Sequence, residues 1–286
     1  MDELDNRINE KLLAGETLSP MDKVNLARHL QRPKIEDYVA ALFTDFFEQK
    51  GDMLGKEDKS IFGGIGFFHD IPVSIVGHKK GSSLEENVAC NFGMPGPEGY
   101  RKALRIMKQA EKFGRPIITF IDTPGAYPGI EAEQFGQSQA IAENLAAMSS
   151  LTVPVIAIVT GEGSSGGALA IGVADRVFML ENAVYSILSP EGFSSILWGD
   201  ATKKEKASEV MKLTADDLME LGVIDGIVEE PLGGAHRDPE RVYEKLDALL
   251  LAELKTLCAK SGAELSKERY RKFRTMDEVY RKEAKA

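Results

Sequence analysis

VPVIAIVTGEGSSGGALAIG, residues 153–172, carries the reading of the fold. Its first seven residues form an unbroken apolar run rich in β-branched side chains, the pattern of a strand covered on both faces. TGEGSSGG (160–167) then reads as a glycine loop, and ALAIGVA (168–174) as a short helix. The same grammar recurs upstream. EGYRKALRIMKQAEKFG (98–114) has helical spacing, RPIITFID (115–122) is a second buried strand, TPGAYPGIEAE (123–133) is a Gly/Pro loop, and FGQSQAIAENLAAMSSL (135–151) is a further helix. Downstream, RVFMLE (176–181) and AVYSIL (183–188) read as strands. SPEGFSSILW (189–198) reads as a helix with Ser189 at its cap and Pro190 in its first turn. A helix at ADDLMELG (215–222) and a strand at VIDGIVEE (223–230) follow. Strands separated by helices define an α/β chain with a largely buried sheet.

Further out, IFGGIGFF (61–68) and IPVSIVGHK (71–79) flank His69-Asp70 and predict a hairpin. Residues 80–97 form a Gly-, Ser- and Pro-rich excursion. IEDYVAALFTDFFEQ places Ile35, Tyr38, Val39, Leu42, Phe43 and Phe46 at helical spacing, which predicts one helix packed on the body. Residues 1–34 read as a polar helical arm outside the core, best formed at LSPMDKVNLARHL, where Ser19 caps and Pro20 opens the helix. PLGGAHRDP (231–239) is a loop, 239–260 a last amphipathic helix, and 261–286 a charged, peripheral tail. The expected units are an arm (1–34), a main domain (35–260) and a tail (261–286).

The bulk numbers exclude several classes. Lys and Arg number 35 against 45 Asp and Glu, a net charge of −10, which disfavours nucleic acid or an anionic membrane as the main partner. Two cysteines, Cys90 and Cys258, are too few for a zinc site or a disulfide framework, and no metal is expected on this chain. No apolar run reaches the ~20 residues of a spanning helix. The polar, acidic opening MDELDNRINEKLLAGETLS is unlike a signal peptide, so a cytoplasmic location is expected.

TGEGSSGG admits three chemistries. Gly161, Gly163 and Gly166 spell a dinucleotide fingerprint, with Glu181 at ribose distance along the chain. Gly163, Ser165 and Gly167 spell a nucleophile elbow, followed by Asp225 and His236 in the order of a serine hydrolase. The third needs no reactive side chain. Two adjacent glycines at a helix N-terminus present backbone N–H groups without intrahelical partners and without a Cβ in the way, which suits a developing oxyanion. A glycine turn serving only close helix–strand packing has the same spelling. Motif length does not separate these.

The longer text does. NFGMPGPEGYRKALRIMKQAEKFGRPIITFIDTPGAYPG, then GQSQAIAENLAAMSSLTVPVIAIVTGEGSSGGALAIGVADRVFMLENAVYSILSPEG, then EPLGGAHRDP, resembles the carboxyltransferase α subunit of bacterial multi-subunit acetyl-CoA carboxylase. The likeness runs from about Gln31 to about Leu254. It implies a crotonase-like spiral of ββα units, here with an N-terminal helical arm and a C-terminal helix. It implies transfer of a carboxyl group from carboxybiotin on a carrier protein to acetyl-CoA, giving malonyl-CoA, the first committed step of fatty acid synthesis. It also implies an α₂β₂ complex with a carboxyltransferase β subunit, working beside a biotin carboxyl carrier protein and a biotin carboxylase that uses ATP. Zinc would then belong to the β partner, and no cofactor would be bound covalently to this chain. By the same resemblance Gly166 and Gly167 supply the amides that receive the biotin ureido oxygen, with the biotin anion as base. Gly163 and Ser165 flank that pair. DTPGAYPG (122–129) follows the preceding strand and is expected to line the same cleft, with Gly125, Ala126 and Gly129 allowing close approach and Tyr127 either packing on a flat ring or serving as an ordinary loop-packing aromatic. Arg101, Lys102 and Arg105 are either a phosphate-attracting face or a solvated one. His78 and His236 are read as hydrogen-bonding residues.

The chain departs from the family pattern at SSLEEN (82–87), at Phe135 and at Ser164. Alternative readings are a paralogue acting on another acyl-CoA, a crotonase-type hydratase or hydrolase working alone, and a subunit kept only for assembly.

Overall fold

The computed structural model describes residues 3–276. Eight strands form one sheet: β1 (Thr44–Glu48), β2 (Ile61–Phe68), β3 (Ile71–His78), β4 (Ile117–Thr123), β5 (Val155–Ser164), β6 (Arg176–Leu180), β7 (Val184–Ser186) and β8 (Gly226–Val228). Their order is β1-β2-β3-β4-β5-β6-β8, with β7 paired to β5 off this path. The first two pairings are antiparallel, and every pairing from β3 onward is parallel. The hairpin forms as expected, with Phe68 opposite Ile71 and His69 in left-handed backbone at φ 49°. Parallel neighbours require crossovers. The helix Pro97–Lys112 joins β3 to β4, and Gln137–Ser150 joins β4 to β5. The first of these turns Tyr100, Ala103, Ile106, Met107 and Ala110 inward, so the sheet is covered on that side by helical apolar faces.

β4 and β5 are buried at every position, which explains why their sequences read as continuous apolar runs. β5 is the organising strand. Ile156–Val159 pair with β6, whereas Glu162–Ser164 pair with β7, so its second half leaves the flank of β6 and takes a different neighbour.

Several expectations need correction. The single helix expected over 35–49 is a helix, Ile35–Leu42, followed by strand β1. Phe43 is extended (φ −126°, ψ 146°), and the next residues find the open backbone edge of β2, with Phe47 opposite Ile65. Phe46 satisfies both a helical and an alternating period, so spacing did not distinguish them. Residues 1–34 are helical at Glu3–Leu13 and Pro20–Ala27, but they do not stand apart from the body. Ile8, Val24 and Leu26 are fully buried, and Arg32 reaches the carbonyl of Thr160 on β5. The Ser19 cap forms as expected, completed as a capping box by Asp22. TGEGS is not a loop, because backbone ladders from β4 and β7 hold it as the end of β5. The tail expected to be peripheral contains the helix Gly262–Thr275, whose Arg269 is 1% exposed. That guanidinium meets Asp175 at 3.0 and 2.8 Å and the carbonyls of Met148 and Leu151 at 2.7 and 2.9 Å. Residues 277–286 of the tail lie outside the described residues. Among the described residues no helix is long and apolar enough to cross a membrane.

Candidate functional site

β5 ends at Ser164, and Ser165 takes the left-handed conformation (φ 60°) that turns the chain directly into the helix Ser165–Leu169. A non-glycine residue held there is strained, which singles out this strand-to-helix turn. Ser165 is exposed, Gly166 half-buried and Gly167 buried. In a helix of five residues the first amides have no intrahelical acceptor. Those of Gly166, half-buried, and Gly167, buried, are therefore donors without a helical partner, with the helix dipole behind them.

The glycines are not equivalent. A Cβ on Gly167 would lie 2.5 Å from the Ala126 nitrogen, 2.7 Å from the Gly125 carbonyl carbon and 3.0 Å from the Tyr100 hydroxyl. A Cβ on Gly166 would meet only Ile141, at 3.5 Å. Gly167 thus lets the 125–126 backbone close over the turn, while Gly166 has room for a Cβ against Ile141. The opposing segment is itself fixed. Thr123 Oγ1 accepts from the Gly125 amide at 3.0 Å and donates to the Gly125 carbonyl at 2.8 Å, holding Gly125 at φ 140°.

Gly125, Ala126, Gly166 and Gly167 therefore converge, with Ser165 at the rim. Tyr127 turns elsewhere: its ring covers Gly129, its amide donates to the Pro95 carbonyl at 3.0 Å, and its carbonyl accepts from Gln137 at 3.0 Å. Gly163 sits within β5 opposite Tyr185, whose ring occupies the space of a Cβ. Of Arg101, Lys102 and Arg105, Lys102 is buried and the two arginines are half-buried, and all three are engaged. They hold the 49–61 segment through Asp52 (3.0 Å), the Ile61 carbonyl (2.7 Å) and the Gly51 carbonyl (3.2 Å).

Among the described residues, the titratable groups at the turn offer no general base. His78, ending β3, is fully buried with the Gly167 backbone and Asp122 facing it. Burial pushes its pKa down to about 3, so the imidazole is neutral at any working pH. At the end of β5 lies an ionic chain that sequence reasoning missed. Lys80 bridges Asp122 (2.7 Å) and Glu162 (3.0 Å), and Arg28 joins Glu162 (2.6 Å) to Glu191 (3.0 Å). Asp122 also accepts the Glu162 amide at 3.0 Å, and Arg32 pairs with Glu230. These links hold the end of β5. One signal was available: Asp122 ends an otherwise apolar strand, and a carboxylate there demands a partner.

The two rival readings of the glycines fail on geometry. Asp225 accepts from the Val177 amide at 2.6 Å and pairs with Lys272, while His236 meets Asp5 at 3.0 Å, so no triad assembles with Ser165. Gly161 and Gly163 lie inside a strand, and the Asp122 carboxylate fills the space beside Gly161, leaving no pyrophosphate loop. His236 also stacks on His29 at 3.9 Å, and with Asp5 the pair brings ligand-type atoms within 4.8 Å of one another. The Gln31 amide donates to His29 Nδ1 at 3.2 Å, which leaves the proton on Nε2, facing Asp5. Metal-bound histidines show the reverse pattern, and Arg237 already meets Asp5 at 3.0 Å. The trio clamps the first helix to the 231–239 loop.

Comparison with known proteins gives the family and the fold. The model of the family described as acetyl co-enzyme A carboxylase carboxyltransferase-like matches residues 1–277. The acetyl-coenzyme A carboxylase carboxyl transferase subunit alpha of Geobacillus thermodenitrificans is 55% identical over 262 residues, 92% of this chain and 81% of that one. The protein of the same name from Geobacter metallireducens is 56% identical over 271 residues, covering 95% and 85%. Among solved structures, transcarboxylase 12S with methylmalonyl-coenzyme A superposes with a TM-score of 0.64 at 19% identity, over 82% of this chain and 44% of that one. A Pseudomonas malonate decarboxylase hetero-tetramer in complex with coenzyme A gives 0.61 at 17% identity, over 74% and 84%. The crotonase-like α/β fold expected from the sequence is the one these structures share. From the extent and closeness of the sequence matches, the chain belongs to the acetyl-CoA carboxylase carboxyltransferase family, on its α-subunit side.

Proposed function

We propose that this chain is the α half of a carboxyltransferase that moves a carboxyl group from carboxybiotin to acetyl-CoA, giving malonyl-CoA. The observation that carries the reading is the strained Ser165 turn, which sets the Gly166 and Gly167 amides free beside the Gly125–Ala126 backbone. These amides receive the ureido oxygen of biotin, where negative charge grows as the carboxyl group leaves. Removing one such donor typically costs about 2.7–4 kcal/mol of barrier. Gly125 and Ala126 line the approach, and Ser165 is a spacer whose backbone strain aims the pair. Gly163, Tyr127 and Gly129 belong to the frame around that approach. The lack of a general base at the turn is consistent with a reaction in which the leaving biotin anion takes the proton.

A β subunit completes the site from the acyl-CoA side, and the two chains work as α₂β₂ with a biotin carboxyl carrier protein and an ATP-using biotin carboxylase in the cytoplasm. Any zinc resides on the β partner. The test is reconstitution. Mixing this chain with its β subunit and a carboxybiotin donor yields malonyl-CoA, and neither subunit alone does so. Hydration or hydrolysis of an acyl-CoA by this chain alone refutes the reading.

A further inference from the structure

We propose that a cavity of about 220 Å³ beside Pro124, faced by Arg28, Lys34 and Lys80, is an oxyanion site that takes a carboxylate or phosphate group. It does not rest on the carboxyl-transfer reading. Lys34 is 8% exposed and lines this cavity, yet its ammonium makes no hydrogen bond or ion pair among the described residues. The carboxylates that it senses are engaged. Asp122 is bridged by Lys80 at 2.7 Å, and Asp37 accepts the Lys34 backbone N–H at 2.7 Å as part of a helix cap. Around the cavity, Arg28 is already paired with Glu162 and Glu191, and Lys80 with Asp122 and Glu162, so Lys34 is the lining cation that has no ion pair among the described residues. Burial, with Lys80 and Arg32 adding to it against the pull of Asp122, holds the Lys34 ammonium below the usual lysine range. An arriving oxyanion relieves that penalty, because charge-assisted hydrogen bonds replace the lost water.

The walls fit an anion carried on a small organic body. Leu30, Pro124 and the ring of Phe92 are apolar. Asn91 and Phe92 are both left-handed (φ 46° and 54°), and Gly93 follows at φ 76°. A Cβ on Gly93 would fall 2.8 Å from Lys80 Cγ, so the turn presses against the Lys80 stem and holds Phe92 at the mouth.

The experiment uses the full chain and two probes, inorganic phosphate and malonate, titrated calorimetrically against a chloride background of fixed ionic strength. Saturable single-site binding of at least one probe is expected. The variant Lys34→Met keeps the aliphatic stem and is expected to weaken it by about tenfold or more, as loss of a charge-assisted bond does. Phosphate alone binding points to a phosphorylated ligand, and malonate alone to a carboxylate. Should the variant misfold, reductive methylation of the wild-type protein decides the same question, since the bound probe shields Lys34 from modification. The proposal is overturned if neither probe saturates, if K34M binds as well as wild type, or if neither probe slows methylation of Lys34.

Discussion

The two glycines of the turn separate when each receives a single methyl group. Gly166→Ala places its Cβ no closer than 3.5 Å to any neighbour, and Gly166 does not have positive φ. Alanine at such a position stabilises by about 0.4–1 kcal/mol, chiefly by restricting the unfolded chain. Gly167→Ala drives its Cβ to 2.5 Å from the Ala126 nitrogen and 2.7 Å from the Gly125 carbonyl carbon, and backbone must move to admit it. Overpacking of that kind costs about 1–3 kcal/mol. For a chain of this size each kcal/mol is worth roughly 2–4 °C in Tm. The melting point of G166A is therefore expected at or slightly above wild type, and that of G167A several degrees below. Activity is ordered differently. The methyl of G166A lies against Ile141, directly beside the proposed donors, where it narrows the approach of a ligand to the amides. Loss of one donor contact there is expected to lower malonyl-CoA formation by about 10²–10³. Differential scanning calorimetry and a coupled malonyl-CoA assay on the reconstituted complex read the two quantities separately. A G166A protein that transfers carboxyl groups at the wild-type rate refutes the assignment of the donors, and a G167A protein of undiminished stability refutes the packing argument.

Three further outcomes follow from buried charges. His78 has its folded pKa lowered to about 3 against an ordinary 6.5, so the unfolded chain binds the extra proton first as pH falls. Its contribution to stability is complete above about pH 6.5 and is lost progressively toward pH 3, amounting to roughly 2 kcal/mol between pH 7 and 5. Urea unfolding at those two pH values, compared with His78→Leu, should show that portion of the slope disappear in the variant. Arg269→Met strips Asp175 of its buried partner and is expected to cost about 3–5 kcal/mol, read as a lower urea midpoint at unchanged slope. Asp5→Ala releases His236 and Arg237, and should make the 14–18 connection more susceptible to limited proteolysis while leaving the rest of the chain protected.

Legibility followed periodicity. β2, β3, β4 and the helices Pro97–Lys112 and Gln137–Ser150 were readable because each keeps one pattern, an apolar run or a helical period, over a full element. β1 was hidden because Phe43 and Phe46 suit a helix, and only the open edge of β2 decides otherwise. TGEGS was hidden for the opposite reason: glycine and serine have little strand propensity, and the ladders of β4 and β7 impose the conformation. The glycine pair was found from the longer text around it, whereas the unequal roles of Gly166 and Gly167 depend on the Gly125–Ala126 backbone arriving from 40 residues upstream. Arg28, Arg32, Lys80 and Glu162 carry no local signature at all. Their partners are set by tertiary contacts across as many as 198 residues, which no spacing rule can see.

That longest link has a consequence for how the chain is made. Arg32 sits between the Thr160 carbonyl in the middle of the sheet and Glu230 near its far edge, and Glu230 in turn accepts from the Asn182 and Ala235 amides. During synthesis Arg32 emerges early and Glu230 late. Until the latter appears, the cation has no counter-charge to enter the interior with, so the first two helices must wait in solvent while the sheet condenses. The N-terminal segment is then expected to dock last, and a nascent chain truncated before residue 230 is expected to keep that segment open to proteases and chaperones.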